Sequence, residues 1–179
     1  MAKGSDIQSV CIFEDHKFPN LFPLSLNKPV FEIFLGTDTL RSRIIKDINP
    51  ESVSLHCRPY LAEDLEKQIL TEKNEFDILI NQVSDETVFI NSRIMAFGDD
   101  LRDLVEEVLP DSVMVKNDVP VLCRLSEEKS KSFLEFLLGI TGDNRMDSIL
   151  ENIRKISESD EKNGNGESQF RAEFKEWTD

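Results

Sequence analysis

The sequence has almost nothing that would assign it to a membrane or an oxidising compartment. Its 179 residues contain no apolar run approaching the ~18 of a spanning helix. The opening MAKGSDIQSV lacks the basic-then-apolar layout of a secretory leader. Cysteine is scarce: Cys11, Cys57 and Cys123 are an odd, widely spaced set, expected to be reduced structural thiols and not disulfide partners or metal ligands. The two histidines, His16 and His56, are too few for a histidine-rich metal site, and neither has a partner at catalytic spacing. No GxGxxG, GxxxxGK[ST], CxxC pair or HExxH occurs. Bases are outnumbered by acids, 21 to 35, and the net charge of −14 repels phosphate backbones and anionic bilayers. Nucleic acid and membrane are therefore not expected partners, and a cytoplasmic location is expected.

What is present is enough for one domain. A chain of this length buries roughly 70% of the surface its unfolded form exposes, so the core needs no covalent staple. Ser9–Phe13, Ser52–Cys57 and Val88–Ile90 are the most apolar strand candidates and are expected to be central neighbours. Helical spacing marks Leu40–Ile45 with Thr37 as its cap, Tyr60–Leu70, Leu101–Leu109, Ser126–Leu138 and Asp147–Ile156. Ile78–Ile80 is a further short strand. Ser112–Val115 and Val119–Leu122 flank the polar turn Lys116–Asp118 and read as a peripheral hairpin. Strands alternating with helices at this spacing give an α/β fold with a mixed sheet. The expected organisation is a domain over 1–142, a helical extension over 143–156 and a mobile acidic tail over 157–179. Phe170, Phe174 and Trp177, spaced as on a helix, offer a docked alternative for that tail.

The acidity is uneven. Residues 14–46 carry a net +1, whereas 47–142 carry −11 and the remainder −4. The non-acidic stretch contains a proline-rich loop, Phe18–Pro29, directly after the first strand, where α/β sheets bind ligands beyond the strands' carboxyl ends. Lys28 and Arg43 are candidate phosphate ligands. Asp15 and Glu32 are candidates to hold a ribose, a metal or those bases. The plainer reading is that Leu21, Phe22, Leu24 and Leu26 plug the loop onto the core. Asp99, Asp100 and Asp103 sit at a helix start, where acids complement the backbone dipole, and are read as structural.

These residues also carry a likeness. The run from Val10 to Asp15 is followed by Leu21, by Pro23-Leu24-Ser25, by Lys28 to Ile33, and by Gly36, Leu40 and Arg43. Arg58-Pro59-Tyr60-Leu61, Phe89 to Met95 and Arg124-Leu125-Ser126 continue the series. Together they resemble a sugar nucleotidyltransferase family similar to the N-terminal half of bacterial N-acetylglucosamine-1-phosphate uridyltransferase. The resemblance implies a Rossmann-like nucleotide-diphospho-sugar transferase fold with helices flanking the sheet. It implies a nucleotide or sugar phosphate ligand, with Lys28 and Arg43 at phosphate and Asn91 and Arg93 on the sugar side. It implies Mg²⁺ if the domain is active, and either a homo-oligomer or a C-terminal β-helix partner domain. Active members would join a sugar 1-phosphate to a nucleoside triphosphate.

The departures are as informative. The family's usual Arg before Pro29 is Lys28, and its Arg two residues after Glu32 is Phe34. The Gly-rich loop of the wider superfamily is replaced by the proline-rich loop. The Gly-Asp that holds the catalytic metal aligns with Ser92-Arg93. No catalytic residue and no metal ligand is assigned, and the alternative is a degenerate, non-catalytic module for assembly or regulation.

Overall fold

A computed structural model describes residues 7–72, 77–117, 119–141 and 173–176. The chain runs β1 (Ser9–Phe13), β2 (Phe34–Leu35), β3 (Asp38–Thr39), α1 (Leu40–Ile48), β4 (Ser52–His56), α2 (Pro59–Thr71), β5 (Ile78–Ile80), β6 (Thr87–Asn91), α3 (Asp99–Glu107), β7 (Ser112–Lys116), β8 (Val119–Leu125), α4 (Glu127–Thr141) and β9 (Glu173–Glu176). The main sheet has the order β5-β4-β1-β6-β8-β7-β9. Strands β5, β4, β1 and β6 are parallel, and the β7–β8 hairpin joins β6 antiparallel. This is the expected Rossmann-like mixed α/β sheet flanked by helices.

Strands β1 and β6 carry apolar residues on both faces, which is why they are central. In β1 all five residues are buried, and β6 repeats the pattern. One face packs Val10, Ile12, Leu55 and Ile90 against α1, α2 and α3 through Ile44, Leu65 and Leu101. The other buries Cys11, Phe13, Phe89 and Cys123 under Phe133 and Leu137 of α4. Phe89 and Phe133 meet edge-on at 4.9 Å between centroids.

Several boundaries differ from the sequence reading. The cap of α1 is Thr39 and not Thr37, because Gly36 (φ +78°) and Thr37 form the turn of the small β2–β3 ribbon. Thr39 Oγ1 accepts the Ser42 N–H at 3.1 Å. Thr39→Ala should therefore cost about 1 kcal/mol, read as a melting temperature lower by a few degrees, while Thr37→Ala should leave it unchanged. The expected helix over 147–156 and the stretch 157–172 lie outside the described residues. Residues 173–176 were expected in a mobile tail or a docked helix. Their backbone is instead a strand paired parallel with Ser112–Val115, because β7 would otherwise expose a row of unpaired N–H and C=O groups. No helix among the described residues is long and apolar enough to cross a membrane.

Candidate functional site

The chain leaves β1 toward β4 and β5 on one side, and places β6 on the other. The crevice beyond the carboxyl ends of β1 and β6 is thus the point where strand order reverses, the usual ligand position in open α/β sheets. A cavity of about 420 Å³ opens there. Its polar lining is Lys17, Asn91, Arg93, Lys116 and Asn117, and its apolar wall includes Ile94, Leu104 and Val121. Asp15 lies just past β1, at 2% side-chain exposure. The Arg93 Nε donates to both of its oxygens, at 3.2 and 3.0 Å, and Nη2 also donates to Oδ2. Asn91 donates to Asp15 Oδ2 at 2.6 Å, and the Lys17 N–H donates to Oδ1 at 2.8 Å. Three of the six expected site residues, Asp15, Asn91 and Arg93, therefore form one cluster on the cavity.

Over this frame, the model of the family described as sugar nucleotidyl transferase matches residues 10–178. The chain belongs to that family. No curated protein matches it. The match spans the whole sheet, both cavity-lining strand ends and the proline-rich loop, so every departure noted above lies inside the sugar nucleotidyl transferase frame.

The cluster does not fit a divalent metal of the kind such transferases use. Mg²⁺ takes oxygen ligands, and no carboxylate lines the cavity among the described residues. Asp15, beside the cavity, has both oxygens already engaged by donors, among them the Arg93 guanidinium. Among the described residues no group of three or more His, Cys, Asp or Glu side chains could hold a metal.

The other three expected residues lie apart from this cluster. Lys28 lines a second cavity of about 340 Å³ together with Glu32, Asp38, Arg41, Ser42 and Glu72. Its Nζ stands 5.9 Å from the Phe34 ring centroid. Glu32 is spent on Arg41 and on Gln68 Nε2 at 3.1 Å, and Arg41 reaches on to Glu72 at 3.0 Å. Arg43 donates to the Leu35 carbonyl and lies over Phe97 at 5.4 Å, so it braces the β2–β3 ribbon. Arg43 does not line the cavity that holds Lys28, and neither residue lines the one at β1 and β6.

Sequence reading missed the pair that shapes the loop. Glu14 and Arg58 lie just beyond β1 and β4, and the two strands end in register at Phe13 and His56, so both charged side chains emerge into the same interior space. Both are fully buried. Arg58 Nε donates to Glu14 Oε2 at 3.1 Å and Nη2 to Oε1 at 3.2 Å. Nη2 also donates to the Ser25 and Lys28 carbonyls, and the guanidinium stacks on Phe18 at 4.2 Å. Glu14 accepts the Val30 N–H at 2.7 Å. Burial pushes the Glu14 carboxyl above its ordinary value, against the pull of the Arg58 charge. On this inner side the loop offers carbonyl acceptors, whereas a phosphate-cradling loop offers N–H donors. The signal in the sequence was an acid and an arginine, each close behind an otherwise apolar strand.

The remaining candidates are structural. Burial raises the thiol of Cys57 to about 12, and those of Cys11 and Cys123 further, so none is a ready thiolate. Asp99 and Asp100 occupy the first turn of α3, and Asp99 faces Arg102 at 3.4 Å.

Proposed function

We propose that this domain binds a nucleotide or sugar nucleotide in the cavity at β1 and β6, with Arg93 and Lys17 as phosphate ligands and without a metal. The observation that carries the reading is a cationic lining, free of carboxylates among the described residues, at the strand-order reversal of an otherwise acidic protein. The apolar wall of Ile94, Leu104 and Val121 suits the flat face of a base or a sugar ring. Membership of the sugar nucleotidyl transferase family makes a nucleoside triphosphate and a sugar nucleotide the first probes, here the uridine pair.

Nucleotidyl transfer needs charge on the reacting phosphates neutralised, a task that a metal performs in such enzymes. Here Arg93 supplies fixed positive charge and occupies both oxygens of Asp15. The same contact favours the non-catalytic module as the state in which the ligand is held. The test is calorimetric titration of UTP and UDP-N-acetylglucosamine, with and without Mg²⁺. A charge-assisted hydrogen bond to phosphate is worth roughly 1.5–3 kcal/mol, so Arg93→Ala should weaken binding about ten- to a hundredfold, with Mg²⁺ making no difference. Lys28→Ala should leave affinity unchanged. A loss at Lys28 and none at Arg93 would return the ligand to the proline-rich loop, and Mg²⁺-dependent binding would restore the enzyme reading.

A further inference from the structure

Asn91 lines the cavity, yet both of its side-chain N–H donors are already taken up by the protein. A side-chain amide has two N–H donors and one carbonyl oxygen. One N–H goes to Asp15 Oδ2 at 2.6 Å and the other to the Pro120 carbonyl of β8 at 2.9 Å. The oxygen receives the Arg93 backbone N–H at 2.9 Å, and the residue is 2% exposed. No donor is left for a ligand.

The bonds close a ring. Asn91 holds the Arg93 backbone through its oxygen and Asp15 through its nitrogen. Asp15 in turn holds the Arg93 guanidinium. Arg93 lies beyond the end of β6, where no ladder fixes its backbone, and its side chain is 29% exposed. A long side chain in such a position would otherwise sample many rotamers, and ordering it on binding would cost affinity. We propose that Asn91 is a positioning residue, tying β1, β6 and β8 so that Arg93 is pre-set for an anion, and that it does not touch the ligand. This rests on the reading that Arg93 meets the ligand, and it replaces the direct sugar contact expected of Asn91.

A double-mutant cycle distinguishes the two roles. UDP-N-acetylglucosamine is titrated into wild type, Asn91→Ala, Arg93→Ala and the double variant. Asn91→Ala should weaken binding about tenfold in the wild-type background and should cost nothing further once Arg93 is gone. Equal losses in both backgrounds would mean direct contact and would overturn the proposal. Asn91→Ser, which keeps one donor for Asp15, should fall between wild type and alanine. Hydrogen exchange at the Arg93 Nε–H in the ligand-free protein supplies a readout that needs no ligand. It should be slow in wild type and fast in Asn91→Ala, while the amides of β1 and β6 stay protected. Unchanged Nε–H exchange would overturn the positioning role. If wild type binds neither UTP nor UDP-N-acetylglucosamine at millimolar concentration, the ligand reading fails, and the Nε–H exchange then decides the role of Asn91 alone.

Discussion

Arg58→Met should lower the melting temperature by on the order of 10 °C. Removing one partner of a buried ion pair leaves the other charge without compensation, which costs about 3–5 kcal/mol. For a chain of this length each kcal/mol shifts the melting temperature by roughly 2–4 °C. The loss is a large part of the roughly 5–15 kcal/mol that holds a typical domain together. Arg58 also bonds the Ser25 and Lys28 carbonyls and stacks on Phe18, so the proline-rich loop should loosen with it. Glu14→Gln should behave alike, because the new side-chain amide would turn an N–H toward the guanidinium or toward the Val30 N–H. The double variant Arg58→Met with Glu14→Leu should recover a good part of the loss, since a buried pair replaced by apolar groups of similar volume is often neutral. Thermal unfolding of the four proteins tests this. Single variants within two degrees of wild type would show that the pair does not hold the loop.

The second large effect is a loss of stability on mild acidification that belongs to one histidine. His56 is fully buried at the end of β4, with Nε2 3.4 Å from Thr141 Oγ1 and no partner on Nδ1. Burial pushes its imidazole down from 6.5 to about 3. Below pH 6.5 the unfolded chain takes up a proton that the folded chain refuses. Stability is therefore fully present above 6.5 and falls by roughly 1.4 kcal/mol per pH unit as pH drops toward 3. At pH 5 the loss should be about 2 kcal/mol. Glu14, pushed the other way by burial, contributes with opposite sign, so the difference between wild type and His56→Leu isolates the histidine. Urea unfolding at pH 7 and pH 5 should show that difference shifting by about 2 kcal/mol in favour of the variant. A difference independent of pH would mean that His56 titrates normally in the fold.

Both effects come from side chains to which sequence reasoning gave no special role. The sequence shows only that His56 lacks a partner at catalytic spacing, because its neighbours in the chain, Leu55 and Cys57, describe a strand and not what covers it. The end of α4 at Thr141, 85 residues on in the chain, packs against that strand end. Glu14 and Arg58 are 44 residues apart, and nothing local in either segment says that the two strand ends meet.

The architecture was legible because its cause is local. Residues 10–13 and 88–90 are uninterrupted apolar runs, stable only between two packed layers, and the alternating Ser52–His56 lies beside them, which makes all three central parallel strands. Residue spacing likewise sets the faces of α1 and α2, and the polar Asn117 follows the last residue of β7, Lys116. The likeness in Val10 to Asp15, Phe89 to Met95 and Arg124-Leu125-Ser126 carried the family for the same reason, since those residues build strand ends. The site was a different matter. Lys28, Arg43, Asp15, Glu32, Asn91 and Arg93 were named from charge and motif, with no local signal of which of them would meet. Tertiary structure divided them, because a charged side chain near a sheet end takes whichever opposite charge the crossing strands bring within reach. Asp15 met Arg93, Glu32 met Arg41, and Arg43 met a carbonyl. The register of β1 and β6 brought Asp15 to Arg93 at the cavity, while the packing of α1 beside β2 consumed Glu32 and Arg43.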